Sequence, residues 1–198
     1  MPQPLILAST SPYRAALLRR LRLPFEVAAP DVAEDLQPGE APAARALRLA
    51  LAKAQAVAAL RPAAWVLGSD QVADCGGRIL DKPGVAERCR EQLTACSGRA
   101  VIFYTAAVLI HDREKTPGHH TDRTIVRFRN LSATDIANYV ERDRALDCAG
   151  GFRCEGLGIA LFEEIESADP TALIGLPLIW VARALREAGL DPLAATQA

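Results

Sequence analysis

The sequence predicts an α/β protein built on a mixed sheet, and three features carry that prediction. The apolar run Leu5–Ala8 passes directly into Ser11-Pro12, a strand joined to a helix start. Two segments, "WVLGSDQVADC" and "VIFYTAAVLI", are β-branched and aromatic, with the helical stretch "PGVAERCREQLTACSG" between them. A third apolar segment, "TIVRFR", follows the second without an intervening helix. Strand–helix units mixed with consecutive strands require a mixed sheet.

Taken in chain order, each element has a local cause. Leu5–Ala8 is a short buried strand. Ser11 suits the N-cap and Pro12 the first helical position, and Leu17, Leu18 and Leu21 form the apolar face of the helix that follows. "APAARALRLALAKAQAVAAL" is a second helix, with Leu47, Ala50, Leu51 and Ala54 at helical spacing and Arg61-Pro62 as its stop. Gly98 closes the third helix. "REKTPGHHTDR" is expected to be a hairpin loop, and in "TIVRFR" Val126 and Phe128 face one way while Arg127 and Arg129 face the other. Ser132 and Asp135 have capping-box spacing ahead of a helix that buries Ile136, Tyr139 and Val140. "GIALFEEI" is expected to be a strand. The last helix starts near Pro177, packs Leu178, Val181, Ala182 and Leu185, and stops at Gly189, leaving "PLAATQA" as a frayed tail.

The bulk composition excludes several classes. A chain of 198 residues is expected to form a single domain over residues 1–198. Its 23 basic and 24 acidic residues leave no basic excess, so a stable nucleic-acid complex is not expected. Five cysteines, an odd number without a CxxC pair, argue against a disulfide framework and a zinc site and suit a reducing compartment. No basic segment precedes a long apolar run at the N-terminus, and "LIGLPLIWVARALREAGL" is too short and too charged to span a bilayer. A cytoplasmic protein without membrane association is the expectation.

Candidate chemistry lies at the element ends. The first-turn amides of a helix bind anions, and Ser9, Thr10 and Ser11 add hydroxyls while Arg14 can grip phosphate with two prongs. On its own the segment could equally be a plain helix cap, and it is not a Walker loop. Asp70, at the end of an apolar run in "GSDQV", is a general base, a metal ligand or merely the end of a strand. Glu34 is a second acid in an early loop, and two carboxylates converging on a cleft are what magnesium needs besides water and phosphates. Lys82, ahead of Pro83 in a turn, could reach a phosphate. In the glycine-rich "DCAGGFRCEGLG", Glu155 could accept hydrogen bonds from a base edge or simply be solvated. His119-His120 lies in a hydrophilic stretch that offers no partner ligands.

Together, "LASTSPYRAALL", "GSDQV…ILDKPG", "QLTACSGRAVIFYTA", "IANYV…CAGGF…EGLG" and "LIGLPL" resemble, in content and order, the Maf-type nucleoside triphosphate pyrophosphatases. The resemblance implies an elongated twisted mixed sheet flanked by helices, two lobes with a cleft between them, similar to the inosine triphosphate pyrophosphatases. It implies hydrolysis of a nucleoside triphosphate to the monophosphate and diphosphate with a divalent cation, magnesium or manganese. Ser9, Ser11 and Arg14 match the family's phosphate-binding segment, Lys53 and Lys82 match its two further lysines, which the resemblance implies also hold phosphate, and Glu34 matches its early acid. Asp70 matches the proton acceptor and, with Glu34, would hold the metal. Tyr13, Gln71 and Glu155 depart from the thymidine and uridine triphosphate branch, and "CAG" replaces its "KAG". They match instead a branch that prefers 7-methylguanosine triphosphate, in which the aromatic at the place of Tyr13 is often Trp. The expected partner is a small nucleotide, and a homodimer is left open. A thymidine or uridine triphosphate enzyme, or a non-catalytic nucleotide-binding regulator of septum formation, stays as the alternative.

Overall fold

The computed structural model describes residues 3–112 and 118–194. Seven strands form one sheet: β1 (Leu5–Ala8), β2 (Glu26–Ala28), β3 (Trp65–Cys75), β4 (Arg78–Leu80), β5 (Ala100–Ile110), β6 (Gly118–Phe128) and β7 (Phe162–Glu166). The strand order is β2-β1-β3-β5-β6-β7, with β4 added to β3. β1 is parallel to β2 and β3, whereas β3–β5, β5–β6 and β6–β7 are antiparallel, so the predicted mixed sheet is the one observed. Five helices cover it: α1 (Pro12–Arg19), α2 (Pro42–Ala58), α3 (Ala86–Cys96), α4 (Ala133–Asp143) and α5 (Leu178–Glu187).

Three apolar clusters divide the sheet into two lobes. In the first lobe α2 packs Ala50, Ala54 and Val57 against Val66 and Val72 of β3 on one face. On the opposite face α1 and α5 bring Leu17, Leu18, Val181 and Leu185 onto Leu7 and Leu67. The third cluster joins the far ends of β3, β5 and β6 to α3, α4 and Phe152, forming the second lobe. The 11-residue strands β3 and β5 run through both lobes, while the four-residue β1 stops at Ala8 opposite Gly68. That early stop opens a crevice beside the continuing β3, outside the C-terminal end of a parallel strand, where α/β proteins commonly bind ligands.

Local expectations are met where the cause is local. Ser11 caps α1 by accepting from Arg14 N–H, with Pro12 in the first turn. The Ser132–Asp135 capping box is present in both directions. Three expectations are corrected. His119 and His120 lie in β6, paired with Val108 and Ala107, because the strand begins at Gly118, earlier than glycine and histidine suggested. Leu157–Leu161 is a 3-10 turn, so the expected strand "GIALFEEI" starts only at Phe162. The three-residue strands β2 and β4 were not foreseen, being too short for periodicity to reveal. The rest of the expected hairpin loop (residues 113–117) and the end of the expected tail (195–198) lie outside the described residues. Among the described residues no helix is long and apolar enough to cross a membrane.

Candidate active site

The crevice is a cavity of about 490 Å3 whose lining takes in every residue that the sequence nominated: Ser9, Ser11, Tyr13, Arg14, Glu34, Lys53, Asp70, Gln71, Lys82 and Glu155. They come from six separate segments. The volume falls in the range of roughly 300–1,000 Å3 typical of small-molecule sites.

Strand alternation on β3 sorts its residues. Gly68, Asp70 and Val72 turn toward α2, while Ser69 and Gln71 turn toward the loop before α5. Asp70 is 6% exposed, and its Oδ1 lies 2.6 Å from Lys53 Nζ. The same Nζ is 2.6 Å from Glu34 Oε1, so one buried ammonium joins the two carboxylates. Lys53, expected at the phosphates, is thus engaged with the acidic pair. Burial works to raise the Glu34 pKa, but the hydrogen bond and charge of Lys53, with Lys82 and Arg14, prevail and hold it below its ordinary value. Since the folded-state value lies below the unfolded one, this stabilisation is complete above the unfolded pKa and fades as the pH falls through the folded one. The wild type is therefore expected to exceed Glu34→Gln in urea midpoint at neutral pH, with the difference narrowing below about pH 4.

At the N-terminus of α1, Ser9 Oγ accepts from Ser11 N–H at 3.1 Å and from Arg14 Nη1 at 3.5 Å. Arg14 Nε donates to the Gly175 carbonyl at 2.9 Å, and Ser69 Oγ donates to the same oxygen at 3.0 Å. The Leu173–Gly175 stretch of "LIGLPL" therefore aims the guanidinium. Burial works against the Arg14 charge, while the carboxylates of Asp70 and Glu34 favour it. The segment is a helix cap, and its hydroxyls and the Arg14 guanidinium also line the crevice.

Gln71 is anchored on the other side of β3. Its amide nitrogen donates toward Thr105 Oγ1, Ala172 O and Leu173 O at 2.9, 3.1 and 3.0 Å. With two hydrogens and three acceptors that nitrogen is saturated, so only the Gln71 carbonyl is free to meet a ligand, as an acceptor.

The second lobe supplies the "DCAGGFRCEG" loop. Gly150 and Gly151 both have positive φ (78° and 75°), and a Cβ on Gly151 would lie 2.7 Å from Cys89 Sγ, so the turn requires glycine there. Gly84 N–H donates to Leu146 O at 2.9 Å, linking this loop to the one that carries Lys82. Gln92 supports that loop from α3, donating to Asp81 O at 3.0 Å. Cys148 and Cys154 are each pushed up to about 12, by burial first and then by Asp147 and Glu155 respectively. Thiols so shifted stay protonated at neutral pH, which argues against a cysteine nucleophile.

Several lining residues went unnoticed in the sequence. Arg45 sits two helical turns before Lys53 on the same face of α2, a spacing that could have flagged it. Asp147 and Arg153 lie inside the glycine-rich motif, but only the fold brings them to Tyr13.

Two oxygen ligands aimed at one cation suit a hard divalent metal, which takes few carboxylates and completes its shell with water and phosphates. Among the described residues no group of three or more acidic, histidine or cysteine side chains could hold a metal. Asp70 and Glu34 are the pair at the crevice that could hold such an ion.

A mixed sheet whose crevice joins a helix-capped anion site to a carboxylate pair defines a protein built to handle a phosphorylated small molecule. The Maf-like protein family model matches residues 4–188, and the chain belongs to that family. It is 56% identical over 191 residues to a protein of Xanthomonas axonopodis pv. citri named 7-methyl-GTP pyrophosphatase, covering 96% of this chain and 99% of that one. A Bordetella pertussis protein of the same name is 52% identical over 197 residues, covering 98% and 96%.

Proposed function

We propose that this chain hydrolyses 7-methyl-GTP to 7-methyl-GMP and diphosphate. The carrying observation is that one cavity holds Tyr13, Gln71 and Glu155 together with Arg14, Asp70, Lys53 and Lys82. The names of relatives more than half identical support the same reading.

Methylation at N7 leaves positive charge on the purine, which suits the face of Tyr13. Guanine presents N–H donors on its pairing edge, and acceptors available here are the Gln71 carbonyl and the Glu155 carboxylate, whose Oε2 also accepts from Cys154. Arg14, Lys82 and the Ser9 and Ser11 hydroxyls bind the triphosphate, and Lys53 contributes its charge from behind the carboxylates. Asp70 accepts the proton of the water that attacks the α-phosphorus. The bond from that phosphorus to the bridging oxygen breaks, and diphosphate leaves with its charge held by the cations. Lys53, 2.6 Å from its Oδ1, holds Asp70 in orientation for that role. A magnesium or manganese ion held by Asp70 and Glu34 would neutralise phosphate charge. Positioning and charge neutralisation dominate phosphoryl transfer, so no covalent intermediate on the protein is required.

The test is turnover across 7-methyl-GTP, GTP, dTTP and UTP with magnesium and with manganese. 7-Methyl-GTP is expected to give the highest kcat/KM. Glu155→Gln is expected to lower the preference for 7-methyl-GTP over dTTP about tenfold, the weight of one charged hydrogen bond. A best substrate of dTTP or UTP would refute the base assignment, and the absence of diphosphate release from any of them would favour a regulator.

A further inference from the structure

Asp147 is a charged side chain at the cavity that the mechanism above leaves unused. Tyr13 Oη donates to both carboxylate oxygens of Asp147, at 3.4 Å to Oδ1 and 3.2 Å to Oδ2. This contact crosses the cleft, joining α1 of the first lobe to the glycine-rich loop of the second. Among the described residues neither Asp147 nor Glu155 has an ion-pair partner. The neighbouring cation Arg153 is already committed: its Nη2 pairs with Asp143 Oδ1 at 2.5 Å and donates to Asp143 O at 2.9 Å. Arg153 also contacts Tyr13, but its charge is matched by Asp143, so Asp147 and Glu155 remain on this side of the cavity as carboxylates without an ion-pair partner among the described residues. Burial first, and then neighbours that include Asp147, push Tyr13 and Cys148 up to about 12. On the α2 side, by contrast, Glu34 lies in the company of Lys53, Lys82 and Arg14.

We propose that Asp147 is a further specificity-determining residue, a carboxylate tethered by the Tyr13 hydroxyl that selects a purine carrying positive charge over its neutral parent. The inference rests on the 7-methyl-GTP reading and deepens it. A base stacked on the Tyr13 ring lies beside the ring's hydroxyl end and its bound carboxylate, within a Debye length of about 8 Å at physiological ionic strength. There the N7-methylated ring gains an attraction that GTP, identical in its pairing edge, does not. Hydrogen bonds from Gln71 and Glu155 to that edge recognise guanine but distinguish the methylated from the unmethylated form only weakly. A fixed negative charge makes that distinction, and tethering it to the stacking residue places it at the base.

The experiment compares kcat/KM for 7-methyl-GTP and GTP in the wild type, Asp147→Asn and Asp147→Glu. Asparagine keeps an acceptor for the Tyr13 hydroxyl and removes only the charge, and Asp147 is exposed, so both variants are expected to fold like the wild type. Asp147→Asn is expected to lower the ratio of the two kcat/KM values about fivefold, with Asp147→Glu staying within twofold of wild type. A ratio in Asp147→Asn within twofold of wild type overturns the inference. An equal loss in both variants also overturns it, since charge would then not be the property selected. A wild type that hydrolyses GTP as well as 7-methyl-GTP marks failure of the underlying reading instead.

Discussion

Asp70→Asn is expected to lower kcat/KM for the preferred nucleotide about a thousandfold, within the range of roughly 10²–10⁴ lost when a general base is removed. Asparagine keeps the shape of the side chain but can neither take a proton nor offer an anionic ligand. The fold is expected to survive, because Lys53 keeps Glu34 as its ion-pair partner when Asp70 is neutralised. A circular dichroism melt beside the turnover assay separates the two effects. Well-folded Asp70→Asn protein retaining more than a tenth of wild-type turnover would remove Asp70 from the role of proton acceptor. The metal gives a second readout: the variant is expected to need a higher magnesium concentration for half-maximal activity, because one of two carboxylate ligands is gone.

Gly68→Ala is expected to have the largest effect on stability, although it adds a single methyl group. A Cβ at Gly68 would lie 2.3 Å from Ala50 O, 2.8 Å from Ala54 Cβ and 2.9 Å from Ala54 N. Two of these three atoms are backbone of α2, so no side-chain rotation relieves the clash and the helix itself must move. Overpacking of this kind costs about 3 kcal/mol, which at roughly 2–4 °C per kcal/mol for a domain of this size lowers Tm by about 10 °C. Activity is expected to fall as well, because α2 carries Lys53 and Gly68 stands two residues before Asp70 on the same face of β3. A shift of the helix lengthens the 2.6 Å contact between Lys53 and Asp70. Thermal melts and kcat/KM measured on the same preparation check both effects, and a Tm within 2 °C of wild type would refute the close-packing argument.

How much of this was legible in the sequence depends on the range of the interaction. Ser11-Pro12 and the Ser132–Asp135 capping box announce helix starts through contacts three residues apart, and both were legible. The strand Trp65–Cys75 was legible from its apolar start and the glycine pair that follows it, although Gly68 to Gln71 interrupt the apolar pattern. The reading failed where composition and pairing disagree. His119 and His120 look like loop residues, yet β5 offers a long partner edge and backbone hydrogen bonding carries β6 through them. Residues 158–161 look like strand, but Gly158 packs so closely on the Arg153 backbone, with only 2.3 Å from a notional Cβ to the Arg153 carbonyl, that the chain turns there.

The site divides in the same way. Its members were nominated one at a time, from motif order and chemistry, and all of them line the cavity. Their working relations were not legible. Lys53 was expected to face phosphate, but burial beside two carboxylates makes pairing with them the lower-energy arrangement. Gln71 was nominated by its match to one branch of the family, but only the structure shows that two backbone carbonyls before α5 and the Thr105 hydroxyl claim its nitrogen and leave the oxygen. Asp147 drew no notice, because its partner Tyr13 is 134 residues away in sequence. By itself, then, the sequence determined the α/β class, the helix caps, the family and ten residues that line the crevice, since each depends on short-range patterns or on motif order. Only the tertiary structure decided which charge neutralises which and which hydrogen-bonding groups stay free. Those outcomes arise from burial and from contacts between segments distant in the chain, neither of which a linear pattern encodes.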